Sequence, residues 1–174
     1  MSKVTGRSPF DLAGRKVLVA GGNNGIGLAM ALALASAGAT VAVIGRNERR
    51  NAEALRRLRE IGADCHAFQC DVTVQEGVDR AVDATLEACG RIDGCIFNAG
   101  VGGGDRRPFV ERPLDDWRAT FDVNVDAAFR VFQAVAGHMI VRHGKGDPGG
   151  RLMATSSIAS LFGTARNEAY GASK

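Results

Sequence analysis

Apolar residues in this chain fall into short β-branched runs that alternate with longer stretches of helical spacing. Lys16–Ala20 (KVLVA) reads as a strand, GGNNGIG follows at once, and LAMALALASA, closed by Gly38, continues as an apolar helix. Residues 40–44 (TVAVI) form a second strand. Beyond it Ala54, Leu55, Leu58 and Ile61 recur on one helical face, with Asn47 placed as the N-cap. A strand at Cys65–Gln69, a helix over about 74–89 and a strand at 93–97 repeat the unit. Leu114, Trp117 and Phe121 then open one long helical pattern reaching about His143, GKGDPGG breaks it, and RLMATSS supplies a fifth strand. The alternation predicts an α/β fold with a parallel sheet and helices on both faces.

Composition narrows this picture without redirecting it. The 174 residues suit one domain with a sizeable core, and 45% of them are apolar. With 22 basic and 19 acidic residues the net charge is +3, too small to predict a nucleic-acid or membrane surface. No run of 18 apolar residues occurs, and MSKVTGRSPF lacks the apolar stretch of a signal peptide, so the expected location is cytoplasmic. Cys65, Cys70, Cys89 and Cys95 show no C-x-x-C spacing and read as buried free thiols. His66, His138 and His143 form no ligand pattern either, so no metal site is expected.

The first βα turn carries the clearest chemistry. Gly21, Gly25 and Gly27, with Asn23, Asn24 and Ile26 between them, are spaced G-x-x-x-G-x-G. Gly21 lets the chain turn sharply, Gly25 admits a close pyrophosphate, and Gly27 lets the helix approach the sheet. The unpaired N–H groups at the helix start favour phosphate, which points to a dinucleotide in a doubly wound, Rossmann-like sheet; a tight turn without ligand is the other reading. NAD-binding proteins usually carry an acid at the end of the second strand, whereas here Gly45 stands there and Arg46 follows. NADP(H) is therefore favoured and NAD(H) possible, unless Arg46, Arg49 and Arg50 are only a solvated helix start.

Taken with CDVT at 70–73, FNAG at 97–100, VNV at 123–125, TSS at 155–157 and YGASK at 170–174, this turn resembles that of the short-chain dehydrogenase/reductase family, from about Lys16 to the end. The resemblance implies hydride transfer between a nicotinamide and a small-molecule ketone or secondary alcohol, with a proton donor beside the carbonyl oxygen. Tyr170 matches that acid/base. A free phenol titrates at about 10, and a neighbouring cation favours its ionised form; Lys174, one helical turn on, is placed to be that cation and matches the residue that holds the nicotinamide ribose. Ser157 matches the serine that hydrogen-bonds the substrate oxygen, with Ser156 its nearest competitor. Asn124 matches the asparagine of a proton relay, an exposed mid-helix residue being the plain alternative. Asp71 and Val72 resemble the adenine-side contacts, although Asp71 also reads as a turn or cap residue; Asn98, Ala99 and Gly100 resemble the segment passing the adenosine ribose.

Two positions depart from the family: Ala20 replaces a common Thr, and Phe97 replaces the first Asn of N-N-A-G. The family also continues beyond the Lys, so residues 1–174 are expected to be one incomplete dinucleotide-binding domain, truncated at its C-terminus and exposing an apolar edge and face. The full-length form is expected to be a homo-oligomer, a dimer or tetramer. A 3-oxoacyl-thioester reductase and a sugar or alcohol dehydrogenase both stay open, and a catalytically incompetent nucleotide-binding fragment is the alternative. Arg106, Arg107 and Arg112 either meet an acidic substrate or carrier or lie in a solvated loop.

Overall fold

The structure, a computed structural model, describes residues 10–102 and 107–174. Five parallel strands, β1 (Lys16–Ala20), β2 (Thr40–Gly45), β3 (Cys65–Gln69), β4 (Gly94–Phe97) and β5 (Arg151–Ala154), lie in the order β3-β2-β1-β4-β5. Beyond their first residues, Lys16 and Thr40, β1 and β2 carry no polar side chain, because both faces are covered. Leu18, Ala20, Ala42 and Ile44 point to one side, and Val17, Val19, Val41 and Val43 to the other. The first side is covered by α3 (Gln75–Cys89) and α5 (Ala127–His143), whose Val78, Val82, Val131 and Val135 meet the sheet. The second is covered by α1 (Gly25–Ser36) and α2 (Glu48–Glu60) through Leu28, Ala31, Ala54 and Leu58.

Local signals explain most boundaries. Asn47 caps α2 by accepting from the Arg50 amide at 3.0 Å, and Gly90 ends α3 in the left-handed region. Cys65, Cys70 and Cys95 are buried and Cys89 half-buried; all four are free. Burial pushes the Cys70 thiol up to about 11 and the Cys95 thiol up to about 12.

The expected long helix over 114–143 is instead two, α4 (Leu114–Phe121) and α5, joined by a π-helical turn, Asp122–Asp126, in which the Ala127 amide reaches the Asp122 carbonyl five residues back. The fifth strand is also shorter than RLMATSS: residue pairing with β4 ends at Ala154, the Thr155 amide makes one last bond to the Phe97 carbonyl at 2.9 Å, and Ser156 and Ser157 leave the sheet. All four residues of β5 are exposed. Beside them a groove of about 650 Å³ opens, lined by Leu12, Val17, Leu34, Ile96 and Met153 among others, so the apolar face expected from the sequence is present. The last helix, α6, spans Glu168–Ser173 and packs against α4 and the π-turn. No helix among the described residues is long and apolar enough to cross a membrane.

Candidate active site

Strand order reverses between β1 and β4, which opens a crevice beyond the strands' C-terminal ends. There β1 runs into the glycine turn. Gly21 has φ +75°, and a Cβ on it would stand 2.7 Å from the Ala99 amide nitrogen. A Cβ on Gly27 would collide with the Gly21 carbonyl. Both glycines are thus demanded by close backbone approach, whereas a Cβ on Gly25 would meet nothing within 4 Å. The start of α1 is open too: Asn24 occupies the N-cap without a side-chain bond, no acid lies in the first turn, and Ile26 is exposed. Uncapped N–H groups beside open space make a seat for an anion.

A groove of about 590 Å³ extends from this turn. Gly21 and Asn23 line it from the turn, Gly45 and Arg46 from the end of β2, Arg50 from the first turn of α2, and Val72, Ala99, Gly100 and Val101 from the next strand ends. The cationic rim, the uncapped helix start and the volume of this groove suit a dinucleotide. Asn98 braces its floor, its side-chain amide reaching the Gly21 carbonyl at 3.5 Å while its backbone N–H and that of Ala99 both donate to the Ala20 carbonyl. Asp71 is a turn residue, its Oδ1 accepting from the Thr73 amide at 3.0 Å and hydroxyl at 2.8 Å. Burial pushes its carboxyl up, but these two bonds and the Arg46 charge outweigh that and hold it below the usual range.

At the other end of the groove three candidates come together. Asn124, buried inside the π-turn, clasps the backbone of Val101: its Oδ1 accepts from the Val101 amide at 2.8 Å and its Nδ2 donates to the Val101 carbonyl at 3.0 Å. The same Nδ2 donates to Ser173 Oγ at 2.8 Å, and Ser173 in turn donates to the Tyr170 carbonyl at 2.9 Å, so Asn124 is joined to α6. Lys174 Nζ donates to the Thr155 carbonyl at 3.1 Å and lies 5.9 Å from the Tyr170 ring centroid. A Cβ on Gly100 would stand 3.2 Å from both Asn124 Oδ1 and Lys174 Nζ, so these two groups flank one backbone position. Ser157 begins the turn after β5, its Oγ accepting from the Ala159 amide at 3.2 Å; Ser156 Oγ instead donates to the Lys174 carbonyl at 2.7 Å.

The Arg112 side chain is buried, donating to the Arg166 carbonyl at 3.0 Å and lying 3.8 Å from Glu168, so it ties its loop to the start of α6. Arg106 lies outside the described residues. Among those described, no group of three His, Cys, Asp or Glu is arranged to hold a metal.

Asn51 and Ser173 also shape the site, and neither carries a motif role in the sequence. For Asn51 a signal exists: it stands at helical spacing with Ala54 and Leu58, on the buried stripe of α2, where a polar residue must have a partner.

Comparison with known proteins gives one family. A family model described as short chain dehydrogenase matches residues 15–174. The chain is 33% identical over 165 residues to 5-keto-D-gluconate 5-reductase of Escherichia coli strain K12, covering 95% of this chain and 62% of the relative. It is 32% identical over 165 residues to zerumbone synthase of Zingiber zerumbet, covering 94% of this chain and 59% of the relative. An NAD+-bound xylitol dehydrogenase superposes with a TM-score of 0.87 at 35% identity, over 96% of this chain and 61% of that one. The chain therefore spans about three fifths of the length of the proteins it matches.

Proposed function

Because this chain belongs to the short-chain dehydrogenase family, we propose that it is the dinucleotide-binding and catalytic part of an NADP-preferring oxidoreductase that interconverts a ketone and a secondary alcohol. The observation that carries the reading is the meeting of Lys174 and Asn124 around Gly100, with the Tyr170 ring beside the Lys174 ammonium, at the end of a groove that starts on an uncapped helix.

A bound nicotinamide dinucleotide supplies or accepts the hydride. The amides at the start of α1 would hold its phosphates and the Arg46 and Arg50 rim its adenosine end, with Val72, Asn98, Ala99 and Gly100 along the floor. Tyr170 gives its phenolic proton to the carbonyl oxygen in reduction and takes it back in oxidation. Lys174 keeps a positive charge beside that phenol and is itself held by the Thr155 carbonyl. Ser157 donates to the substrate oxygen, and Asn124 fixes the Val101 backbone that walls the site. NADP preference rests on Gly45 and Arg46, where a guanidinium suits a 2′-phosphate and no acid stands to repel it. The substrate is a small carbonyl compound, of 3-oxoacyl-thioester or sugar and alcohol type.

Incubating the purified chain with NADPH and a ketone panel while following NADPH absorbance tests this. Turnover is expected, with Tyr170→Phe slowing it by about 10²- to 10⁴-fold, the usual worth of a positioned acid/base. Binding without turnover across the panel would support a nucleotide-binding fragment instead.

A further inference from the structure

Residue 45 is the corner where β2 gives way to α2, and two asparagines close it. Asn51, 4% exposed, donates through Nδ2 to the carbonyls of Gly45 at 2.9 Å and Phe68 at 3.1 Å. Those bonds fix which way its amide faces, and its Oδ1 accepts from Asn23 Nδ2 at 2.6 Å. Asn23 comes from the glycine turn, so this bond ties the turn to the corner. A Cβ on residue 45 would collide with Asn23 Nδ2 and would stand 2.8 Å from Asn23 Cγ and 3.1 Å from Asn51 Oδ1. The space that an acidic side chain at 45 would enter is therefore filled. A carboxylate forced into it would also face Asn51 Oδ1, an acceptor that its own amide bonds keep from turning away.

We propose that Asn23, locked by Asn51, is a specificity-determining residue: it excludes any side chain at position 45 and so leaves Arg46 and Arg50 to set the charge at that end of the groove. Asn51 is a positioning residue that acts through Asn23. Dinucleotide preference then belongs to residues 23, 45 and 51 together, and an acid placed at 45 alone does not convert it. The proposal rests on the dinucleotide reading of the groove given above.

Two measurements on the 174-residue chain test it. In thermal unfolding, Gly45→Ala is expected to lower Tm by about 5 °C, the effect of one overpacked contact in a chain of this size, and by less than about 2 °C when Asn23→Gly is also present. Equal losses in both backgrounds, or failure of the double variant to fold, overturn the lock. In fluorescence titrations with NADH and NADPH, Gly45→Asp is expected to weaken NADPH without tightening NADH. Gly45→Asp with Asn23→Gly is expected to bind NADH about tenfold more tightly than Gly45→Asp, the size of one charged hydrogen bond. Tightening of NADH by Gly45→Asp alone overturns the proposal. Arg46→Ala separates the underlying reading: an unchanged NADPH to NADH ratio refutes NADP preference, while the unfolding comparison still decides the lock. A wild-type chain that binds neither nucleotide refutes the dinucleotide reading and the specificity claim together.

Discussion

Asn124 makes bonds that a neighbouring strand would normally make. Its amide pairs with both backbone polar groups of Val101, and the same Nδ2 reaches Ser173. Truncation to Asn124→Ala would leave the Val101 amide and carbonyl without these partners in a half-buried site, at a cost of about 2 kcal/mol in urea unfolding. Asn124→Asp would keep an acceptor for the Val101 amide but set an acceptor against its carbonyl, so it too is expected to destabilise. Amide exchange at Val101 should accelerate in both variants. Unchanged exchange there would mean that this clasp does not hold the wall of the site.

At the scale of elements, Asn47→Ala removes the side-chain cap of α2 and is expected to cost about 1 kcal/mol by urea denaturation. A cost near zero would mean that the tertiary contacts of α2 alone fix its start. This cap was legible in the sequence, as were the five strands and the glycine turn, because each rests on a local residue choice or a period of apolar positions. The break between α4 and α5 was not. Leu114, Trp117 and Phe121 keep helical spacing into it, and the extra residue of the π-turn leaves no mark on the apolar pattern. The end of β5 escaped for a different reason: Thr155 to Ser157 contain no Gly or Pro to break the run, while β4 beside them ends at Phe97, whose carbonyl takes the Thr155 amide as its last bond. The Asn23–Asn51 lock needed three dimensions, since its members come from separate turns.

Across the whole molecule the sheet's lower end is tied by one carboxylate. Asp93 Oδ2 accepts from the Lys16 amide at 2.9 Å, while Oδ1 accepts from Arg91 and, at 3.1 Å, from Arg142. Arg142 also donates to the Ile92 carbonyl at 2.6 Å and to Asp147 at 2.7 Å, so the starts of β1 and β4, the end of α5 and the approach to β5 share one network. Burial pushes the Asp93 carboxyl up, but the Arg91 bond, the Lys16 amide and the two guanidinium charges outweigh it, and it lies below the usual range. A depressed carboxylate stabilises the fold above its unfolded value of about 4 and loses that contribution as pH falls through the folded one. Wild type is therefore expected to exceed Asp93→Asn in stability at neutral pH, with the gap closing below about pH 4 in urea titrations run at a series of pH values. A gap that stays constant with pH would refute this role.

The π-turn has a consequence for what lengths of chain the fold tolerates. Removing one residue from an ordinary α-helix turns everything after it by about 100°. Within α5 that would swing Val131 and Val135 out of the core. Asp122–Asp126 already holds one residue more than an α-helical turn requires, with the faces of α4 and α5 set on either side of it. Deleting Val123 should let this turn relax to α-helix and leave the buried face of α5 where it is, whereas deleting the exposed Phe129, which precedes Val131 and Val135, should unfold the chain. Circular dichroism of the two deletion variants compares them directly: equal loss of structure would show that the extra residue is no reserve of length.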